Sequence, residues 1–254
     1  MQRLDLLLVS QQLATSRTQA QQMLEKGRVS LFKNGQWQPV SKPGLKLPED
    51  SELQVTPSDE DRYVARGAFK LEALLKATEV DLQGWQVLDI GQSTGGFTDC
   101  VLQAGASRVV GLDVGQQQLH ASLQDDPRIF CLEKVNARYL QPEHLSDLGL
   151  PLSYDLVVVD VSFISQTLIL PQLPSFIKPG GWLMTLVKPQ FEVGKDKVGK
   201  KGIVRDASLY PEVEQKICTQ LEELGLEVEK WITSPIKGGD GNREFLVAAR
   251  KPPQ

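Results

Sequence analysis

The sequence contains few of the residues that build disulfide frameworks and metal sites. Among its 254 residues there are three cysteines and two histidines. Cys100, Cys131 and Cys218 are far apart and form no C-x-x-C pair, so we expect neither disulfides nor a zinc site. Free thiols are typical of a reducing compartment, and we therefore predict a cytoplasmic protein without a bound metal.

Long apolar runs are also missing. No run approaches the roughly 18 residues that identify a membrane helix. The short apolar run at residues 6–9 lacks a cleavage-site pattern and is too short for a signal peptide. Hydrophobic residues still make up 41% of the chain, enough for one large α/β domain and a small additional module. We expect no membrane association.

The net charge of the chain is small, but positive charge is concentrated near the N-terminus. The net charge is −4, which argues against a broadly basic nucleic-acid-binding protein. Residues 1–48, however, carry seven lysines and arginines and two acidic residues, a net charge of +5, which leaves −9 for the remainder. A basic segment on an acidic body indicates contact with a polyanion, although chance surface charge is an alternative.

The most informative stretch lies at residues 85–105. The apolar run 85–90 predicts a buried strand, and residues 97–104 predict a helix that ends at Gly105. The turn between them consists of small residues. Its glycines allow a ligand to approach the backbone, where the free N–H groups of the first helical turn point at it. This turn is therefore a candidate cofactor site.

Three interpretations of the turn compete. A dinucleotide site requires G-x-G-x-x-G, but Ser93 stands where the second glycine belongs. Residues 91–95 match the nucleophile elbow G-x-S-x-G, but that mechanism needs a histidine after the acid, and both histidines precede Asp155 and Asp160. The third ligand is S-adenosylmethionine, whose methyltransferases carry a similar turn. The dinucleotide interpretation stays open, although no partner for hydride chemistry is evident.

The rest of the body predicts alternating strands and helices. Asp113, Asp160 and Lys188 end three of the strands, at the edge where open α/β sheets bind ligands. Asp113 lies 22 positions after Gly91, where adenosine-cofactor folds place the acid that binds ribose hydroxyls. The predicted strands cover residues 107–113, 129–132, 154–160, 181–188, 227–232 and 244–249, with a helix over 207–224.

Two further segments precede the turn. Residues 63–75 predict a helix with Phe69, Ala73 and Leu74 on its inner face and Lys70 beside that face, where a solvated lysine is the ordinary interpretation. Residues 1–58 predict two helices, the second opened by the capping box S-x-x-Q at residues 16–19. Strands at 28–32 and 52–55, an Asn-Gly hairpin turn and a loop at 39–48 follow.

The N-terminal segment resembles the S4 RNA-binding module. The match is carried by Arg3-Leu4-Asp5, Ser16-Arg17, Ala20, Leu24, Gly27, Val29 and Lys33. The resemblance implies that basic side chains contact structured RNA, which would set affinity more than sequence choice. The candidate RNA-binding residues are Arg3, Arg17, Lys26, Arg28, Lys33 and, beyond the module, Arg66. A helical protein-interaction module is the alternative.

The body resembles ribose 2′-O-methyltransferases of the FtsJ type. Lys70, Asp160, Lys188 and Glu244 match the K-D-K-E tetrad in context. Over nearly its full length the chain resembles the TlyA family, through residues 66–71, 93–99, 113–115, 160–165, 187–192 and 202–206. The resemblance implies an S4-like α+β module at 1–58, a linker at 59–62, and a Rossmann-like α/β methyltransferase domain at 63–254.

The resemblance also implies an activity, namely S-adenosylmethionine-dependent methylation of cytidine 2′-hydroxyls in ribosomal RNA, with ribosomal RNA or ribosomal subunits as partners. The tetrad would be catalytic: Lys188 as base or oxygen-orienting group, Asp160 orienting Lys188, and Glu244 holding Lys70 or the hydroxyl. The cofactor would contact Asp89, Gly91, Ser93, Thr94, Gly95, Gly96, Asp113, Val114, Asn136 and Asp160.

One position and two alternatives qualify this expectation. The family often has alanine where this chain has Gln92, so the Gln92 side chain must point away from the cofactor. Some family members are called haemolysins, but no basic amphipathic helix here supports a pore. A non-catalytic RNA-binding assembly factor and a membrane-lytic haemolysin are the alternative functions.

Overall fold

The computed structural model describes residues 1–253 and divides the chain into two compact units, Met1–Arg62 and the remainder from Tyr63 onward. The first unit has a small hydrophobic core of its own, and the second has two larger clusters. Asp59–Arg62, the segment predicted as a linker, forms a 3-10 helix and groups with the first unit.

The first unit contains both predicted helices, α1 (Leu4–Ser10) and α2 (Arg17–Glu25). They pack through a buried cluster that includes Leu4, Leu8, Ala20 and Leu24. The capping box is only half formed. Ser16 Oγ accepts the Gln19 N–H at 3.2 Å, but the Gln19 side chain accepts from Thr15 N at 2.6 Å instead of from Ser16.

The strands of the first unit form two small sheets. The order β3-β2-β5 gives a three-stranded sheet, and Asn34 and Gly35 join β2 to β3 with positive φ, as the hairpin signal predicted. The prediction of a loop over 39–48 was wrong in part, because β4 pairs with β1 at the N-terminus. The bounds are β1 Gln2–Arg3, β2 Val29–Lys33, β3 Gln36–Pro39, β4 Lys46–Leu47 and β5 Leu53–Val55.

The second unit is built on a seven-stranded sheet in the order β11-β12-β10-β9-β6-β7-β8. Five neighbouring strands, β10, β9, β6, β7 and β8, run parallel to one another. Strand β12 pairs antiparallel with both β10 and β11. The predicted α/β class is confirmed. The bounds are β6 Gln86–Ile90, β7 Arg108–Asp113, β8 Ile129–Glu133, β9 Tyr154–Val159, β10 Ile177–Val187, β11 Glu227–Thr233 and β12 Phe245–Arg250.

The helices of the second unit cover both faces of this sheet. Successive residues of β6 point to opposite faces of the sheet. Val87 belongs to one core cluster, and Leu88 and Ile90 belong to the other. The α-helices are α3 Ala68–Thr78, α4 Gly96–Gln103, α5 Ala121–Gln124, α6 Glu143–Ser146 and α7 Tyr210–Glu223. Short 3-10 helices lie at Ala137–Tyr139, Gln166–Leu168, Leu170–Phe176, Pro189–Phe191, Lys195–Lys197, Lys200–Gly202 and Ala207–Leu209.

The predicted helix over 63–75 started too early, and its inner face was only partly right, since Leu74 is buried and Phe69 packs against the same core. Helix α3 begins at Ala68, and in the segment before it the Val64 N–H donates to the carboxylate of Asp99 in α4 at 2.8 Å. The inner face consists of Ala68, Leu71, Leu74 and Leu75, with Phe69 and Ala73 only partly buried. Lys70 is buried at 8% exposure and is not solvated.

Candidate active site

The glycine turn after β6 lies directly against the end of β9. Gly91 has φ 83°, and a Cβ at this position would lie 2.2 Å from the carbonyl oxygen of Asp160. Gly95 has φ 92°, and a Cβ there would overlap the side chains of Leu119 and Leu123. Side chains are therefore excluded at both positions, and the backbone of the turn is left open to a ligand.

Gln92 points into the interior, away from the turn's open side. Its Nε2 donates to Thr98 Oγ1 at 2.9 Å, and Thr98 Oγ1 donates to Asp89 Oδ2 at 2.6 Å. A Cβ at Gly111 in β7 would lie 2.0 Å from the Gln92 carboxamide carbon. A glycine in the neighbouring strand thus makes room for the bulkier residue beneath the turn.

Asp89 is completely buried beneath the turn. Its Oδ1 has no hydrogen-bond partner among the described residues. Burial raises the pKa of this carboxyl to about 7, and the hydrogen bond from Thr98 opposes the shift. Asp89 was predicted to contact a cofactor, but it lines none of the three cavities described next, so any influence on a ligand would pass through the turn.

The first cavity, which we call the turn cavity, has a volume of about 360 Å³. It brings together six of the predicted cofactor residues, Gly91, Ser93, Asp113, Val114, Asn136 and Asp160. Each carboxylate oxygen of Asp113 accepts one backbone N–H at 2.7 Å, from Ser93 and from Gly115. Each oxygen keeps a further lone pair for a ligand. The remaining wall is largely apolar and includes Leu112, Val135, Ala137, Ile164 and Ile169.

Two more cavities adjoin it. The junction cavity, about 240 Å³, is lined by six of the predicted residues: Gly91, Ser93, Thr94, Gly96, Asp160 and Lys188. The outer cavity, about 490 Å³, is lined by Lys70, Lys188 and Glu244. Ser162 lines all three cavities, so they meet at the end of β9. Gly95 lines none of them and supports the turn instead.

The four residues of the predicted tetrad form two ion pairs. Lys70 Nζ lies 2.5 Å from Glu244 Oε2, and both side chains are buried. Lys188 Nζ lies 2.6 Å from Asp160 Oδ1 and donates to Ser162 Oγ at 2.9 Å. Lys188 therefore stands between the junction and outer cavities, with its ammonium oriented from two sides.

Phe163 is a site residue that the sequence analysis missed. Its side chain is 91% exposed, and its φ of 65° is unusual for a residue other than glycine. The ring lies 5.4 Å from that of Phe191, at 52°, on the border of the turn and outer cavities. Alternation of apolar and polar residues cannot reveal such a position, since an exposed phenylalanine looks like a core residue in the sequence.

Two of the three predicted RNA-binding arginines of the first unit, Arg3 and Arg17, share one carboxylate. Arg3 Nε donates to the buried Asp5 at 3.0 Å and Arg17 Nε at 2.9 Å, while both arginine side chains stay about half exposed, at 42% and 54%. These contacts hold the pKa of Asp5 well below its ordinary value. The two arginines are therefore fixed side by side, with donors left for a further anion.

The other predicted RNA-binding residues differ in their surroundings. Lys26 forms an ion pair with Glu60, and Arg28 forms one with Asp61. Lys33 in the first unit and Arg66 in the second are exposed. Two of the basic charges counted at the N-terminus are therefore partly neutralised by acidic residues at the end of the first unit. Within the described residues, no helix combines the length and the apolar character needed to cross a bilayer.

Comparison with known proteins gives three kinds of similarity. Residues 63–251 match the family of FtsJ-like methyltransferases. A Bacillus subtilis protein provisionally described as rRNA methyltransferase YqxC is 43% identical over 246 residues, 97% of this chain and 84% of that protein. The 16S/23S rRNA (cytidine-2′-O)-methyltransferase TlyA of Mycobacterium tuberculosis is 39% identical over 248 residues, 98% of this chain and 89% of that protein.

A solved structure from Streptococcus thermophilus, provisionally described as a hemolysin, has a TM-score of 0.75 and 38% identity. The match covers 100% of this chain and 90% of the other.

Proposed function

Because the chain belongs to the family of FtsJ-like methyltransferases, we propose that it transfers a methyl group from S-adenosylmethionine to cytidine 2′-hydroxyls in ribosomal RNA. The observation that carries this proposal is the two ion pairs, Lys70–Glu244 and Lys188–Asp160. Lys70, Glu244 and Lys188 line the outer cavity, and Asp160 lines the turn cavity. The expected likeness to the TlyA family is confirmed by relatives of that name.

S-adenosylmethionine fits the turn cavity by its chemistry. The lone pairs of Asp113 suit ribose hydroxyls, and the apolar wall around Val135 and Ile169 suits a purine ring. Gly91 leaves the backbone bare next to Asp160. When bound, the sulfonium cofactor supplies an already activated methyl group, so the protein's task is alignment and the removal of one proton.

The ribose hydroxyl would approach Lys188 from the outer cavity. Its oxygen would accept the methyl group that the cofactor supplies, and the hydroxyl proton would leave to solvent while the Lys188 ammonium orients the oxygen. Asp160 and Ser162 hold the Lys188 ammonium in place. The buried Lys70–Glu244 pair would fix the charge on the opposite wall. Such preorganised charges cost no reorganisation during the reaction.

Phe163 supports a nucleotide substrate. RNA-modifying enzymes commonly splay the target nucleotide out of its helix and stack its base on an aromatic ring. Phe163 offers a nearly fully exposed ring beside both cavities, backed by Phe191. We infer that this ring stacks on the target base and so holds the attached ribose near Lys188.

A basic loop beside the outer cavity would contact the neighbouring phosphates. Five exposed cations lie within an 11-residue segment of an otherwise acidic body, and Lys201 lines the cavity itself. Asn242 anchors the loop, since it accepts from Val204 N at 2.9 Å and donates to Gly202 O at 2.8 Å. Phosphate contacts provide affinity without sequence choice. The cations are Lys195, Lys197, Lys200, Lys201 and Arg205.

The first unit would supply further affinity for RNA as an S4-like module. Arg3 and Arg17 on Asp5, with the exposed Lys33, are its best-placed cations. We take the domain organisation as a module at 1–58, a linker at 59–62 and a methyltransferase domain from residue 63.

The deciding experiment is to map 2′-O-methyl groups on ribosomal RNA from cells with and without the gene, and on purified subunits incubated with the protein and S-adenosylmethionine. The proposal expects cytidine methylation that depends on the protein. Binding to ribosomal RNA without any methylation would favour an assembly factor. Leakage of liposomes caused by the pure protein, without methylation, would favour the haemolysin alternative.

A further inference from the structure

The loop that follows β9 is held at both ends. Residues 160–166 supply walls to all three cavities and carry Phe163. Lys188 holds the first end of the loop through Asp160 and Ser162. The second end is held by Glu192, a residue that no part of the mechanism above uses.

Glu192 binds this second end with both carboxylate oxygens. Ser165 Oγ donates to Glu192 Oε2 at 2.6 Å, and the Gln166 N–H donates to Glu192 Oε1 at 2.7 Å. Gln166 in turn donates to the carbonyl oxygen of Leu186 in β10 at 3.0 Å. The loop is thereby tied to the strand whose end carries Lys188.

The charge of Glu192 is compensated from a third element. Its side chain is 1% exposed, and Lys216 Nζ of α7 lies 3.1 Å from Oε2 and donates to the Glu192 carbonyl oxygen at 3.2 Å. A buried carboxylate is strongly unfavourable unless it is paired and hydrogen-bonded, and here both conditions are met. Glu192 lines none of the three cavities, so it does not touch a ligand.

The loop needs such support because its conformation is strained. A φ of 65° at Phe163 is unfavourable for a residue other than glycine, and the surroundings must offset this cost. Phe191, which backs the Phe163 ring, immediately precedes Glu192. One carboxylate therefore fixes both the loop that bears the exposed ring and the residue next to the ring that supports it.

We propose that Glu192 is a positioning residue for methyl transfer, which locks the loop 160–166 so that Phe163 and Ser162 face the entering nucleotide. The inference rests on the proposed function for its catalytic readout. Its structural readout, the rigidity of the loop, does not depend on that function.

The test is Glu192→Gln, which keeps the shape but leaves one acceptor oxygen for two donors and removes the counter-charge of Lys216. We expect kcat/KM for ribosomal RNA to fall roughly tenfold, while the Kd for S-adenosylmethionine stays within about twofold. Amide hydrogen exchange should accelerate in residues 161–166 and not in β6 or β12.

A double-mutant cycle with Phe163→Ala separates positioning from general damage. If Glu192 acts through the loop, Glu192→Gln should add little further loss in the Phe163→Ala background. Full additivity would overturn the proposal. If Glu192→Gln fails to fold, Ser165→Ala removes one of the two donors and goes through the same cycle, with a smaller loss of kcat/KM expected.

Asp155→Asn is the matched control. Asp155 lies at the other end of β9. Its carboxylate accepts from Lys178 Nζ in β10 and from the Gln86 N–H in β6, each at 2.9 Å. This variant should lower stability without changing kcat/KM or the exchange of the loop. Unchanged loop exchange in Glu192→Gln would overturn the proposal. If the wild-type protein does not methylate RNA but Glu192→Gln still accelerates exchange in the loop, the loop contact is upheld and the proposed function is refuted instead.

Discussion

At the scale of single residues, Lys188 is the most informative position. Its ammonium is held by Asp160 and Ser162 between two cavities, where a substrate hydroxyl could reach it. If it orients or deprotonates that hydroxyl, Lys188→Ala should lower single-turnover methyl transfer by roughly a hundredfold or more. Lys188→Arg should not restore activity, because a guanidinium stays protonated and has a different shape.

The matched control for this variant is Lys178→Ala. Lys178 lies in β10 and pairs with Asp155 at the other edge of the sheet, so its loss should leave turnover unchanged. Thermal unfolding and cofactor titration show whether Lys188→Ala stays intact. A folded Lys188→Ala protein with near-native turnover would rule out the role.

Asp113 allows a direct test of the turn cavity. Its carboxylate faces that cavity with one lone pair free on each oxygen. Loss of a hydrogen bond to a charged group typically costs about 1.5–3 kcal/mol, so Asp113→Ala should weaken S-adenosylmethionine binding roughly tenfold or more in calorimetry. Asp113→Asn keeps one acceptor and should lose less. Unchanged affinity in Asp113→Ala would remove this residue from the site, and preferential binding of NAD would refute the cofactor class.

Asp89 predicts a pH dependence of stability. Burial raises its pKa in the folded protein from 3.8 to about 7. The native state therefore favours the neutral acid, so the contribution of Asp89 to stability is complete below about pH 4 and declines as pH rises toward 7. Asp89→Asn cannot ionise. The free energy of unfolding of wild type minus that of Asp89→Asn should fall between pH 4 and 7 and level off above. A flat difference over this range would show that Asp89 ionises normally.

At the scale of elements, β7 and the glycine turn must fit each other. Gly111 leaves the space that Gln92 fills beneath the turn. Gly111→Ala should push the Gln92 side chain from that space and weaken cofactor binding. Since Gln92→Ala vacates the space, the double variant Gly111→Ala/Gln92→Ala should recover most of the lost affinity, as calorimetry would show. If the two losses simply add, the steric explanation is wrong.

The same scale shows what the sequence can and cannot predict about the fold. Apolar runs and their polar ends are local, so the carboxyl ends of the strands at Asp113, Asp160 and Lys188 were predicted to within one residue, although β10 begins four residues earlier than predicted. The start of α3 was not predicted, and the segment before it makes a hydrogen bond between Val64 and Asp99, residues that are 35 positions apart. The pairing of β1 with β4 likewise depends on a distant partner.

For the candidate site, the sequence identifies the charged residues that line the cavities better than it identifies the residues that hold them in place. Asp160 and Lys188 could be singled out because strand ends meet at one edge of the sheet. Glu192 could not, since its burial depends on Ser165, Gln166 and Lys216 coming together from other elements. In the sequence these polar residues look like ordinary surface residues. Only the folded loop brings them into contact with the Glu192 carboxylate.

At the scale of the whole molecule, the two units each contain the core they need. The cluster around Leu4, Leu24 and Val29 belongs to the first unit alone, and the sheet clusters belong to the second. The local charge of the first unit is also less than the count for residues 1–48 implies, because Glu60 and Asp61 pair with Lys26 and Arg28. Affinity for RNA should therefore depend on few of its cations.

This separation predicts that removal of residues 1–62 leaves S-adenosylmethionine affinity within about twofold while ribosomal RNA binding weakens strongly. In the full-length chain, Arg17→Ala should reduce RNA affinity and lower the slope of log K against log salt by about one, as for one lost phosphate contact. Lys26→Ala is the control, because its charge is already paired with Glu60 and little change is expected. Filter binding from 50 to 200 mM salt would measure the RNA affinity of the shortened protein and of the Arg17→Ala and Lys26→Ala variants. If the isolated second unit binds ribosomal RNA as tightly as the full chain, RNA affinity resides in the basic loop 195–205, and the first unit serves another partner.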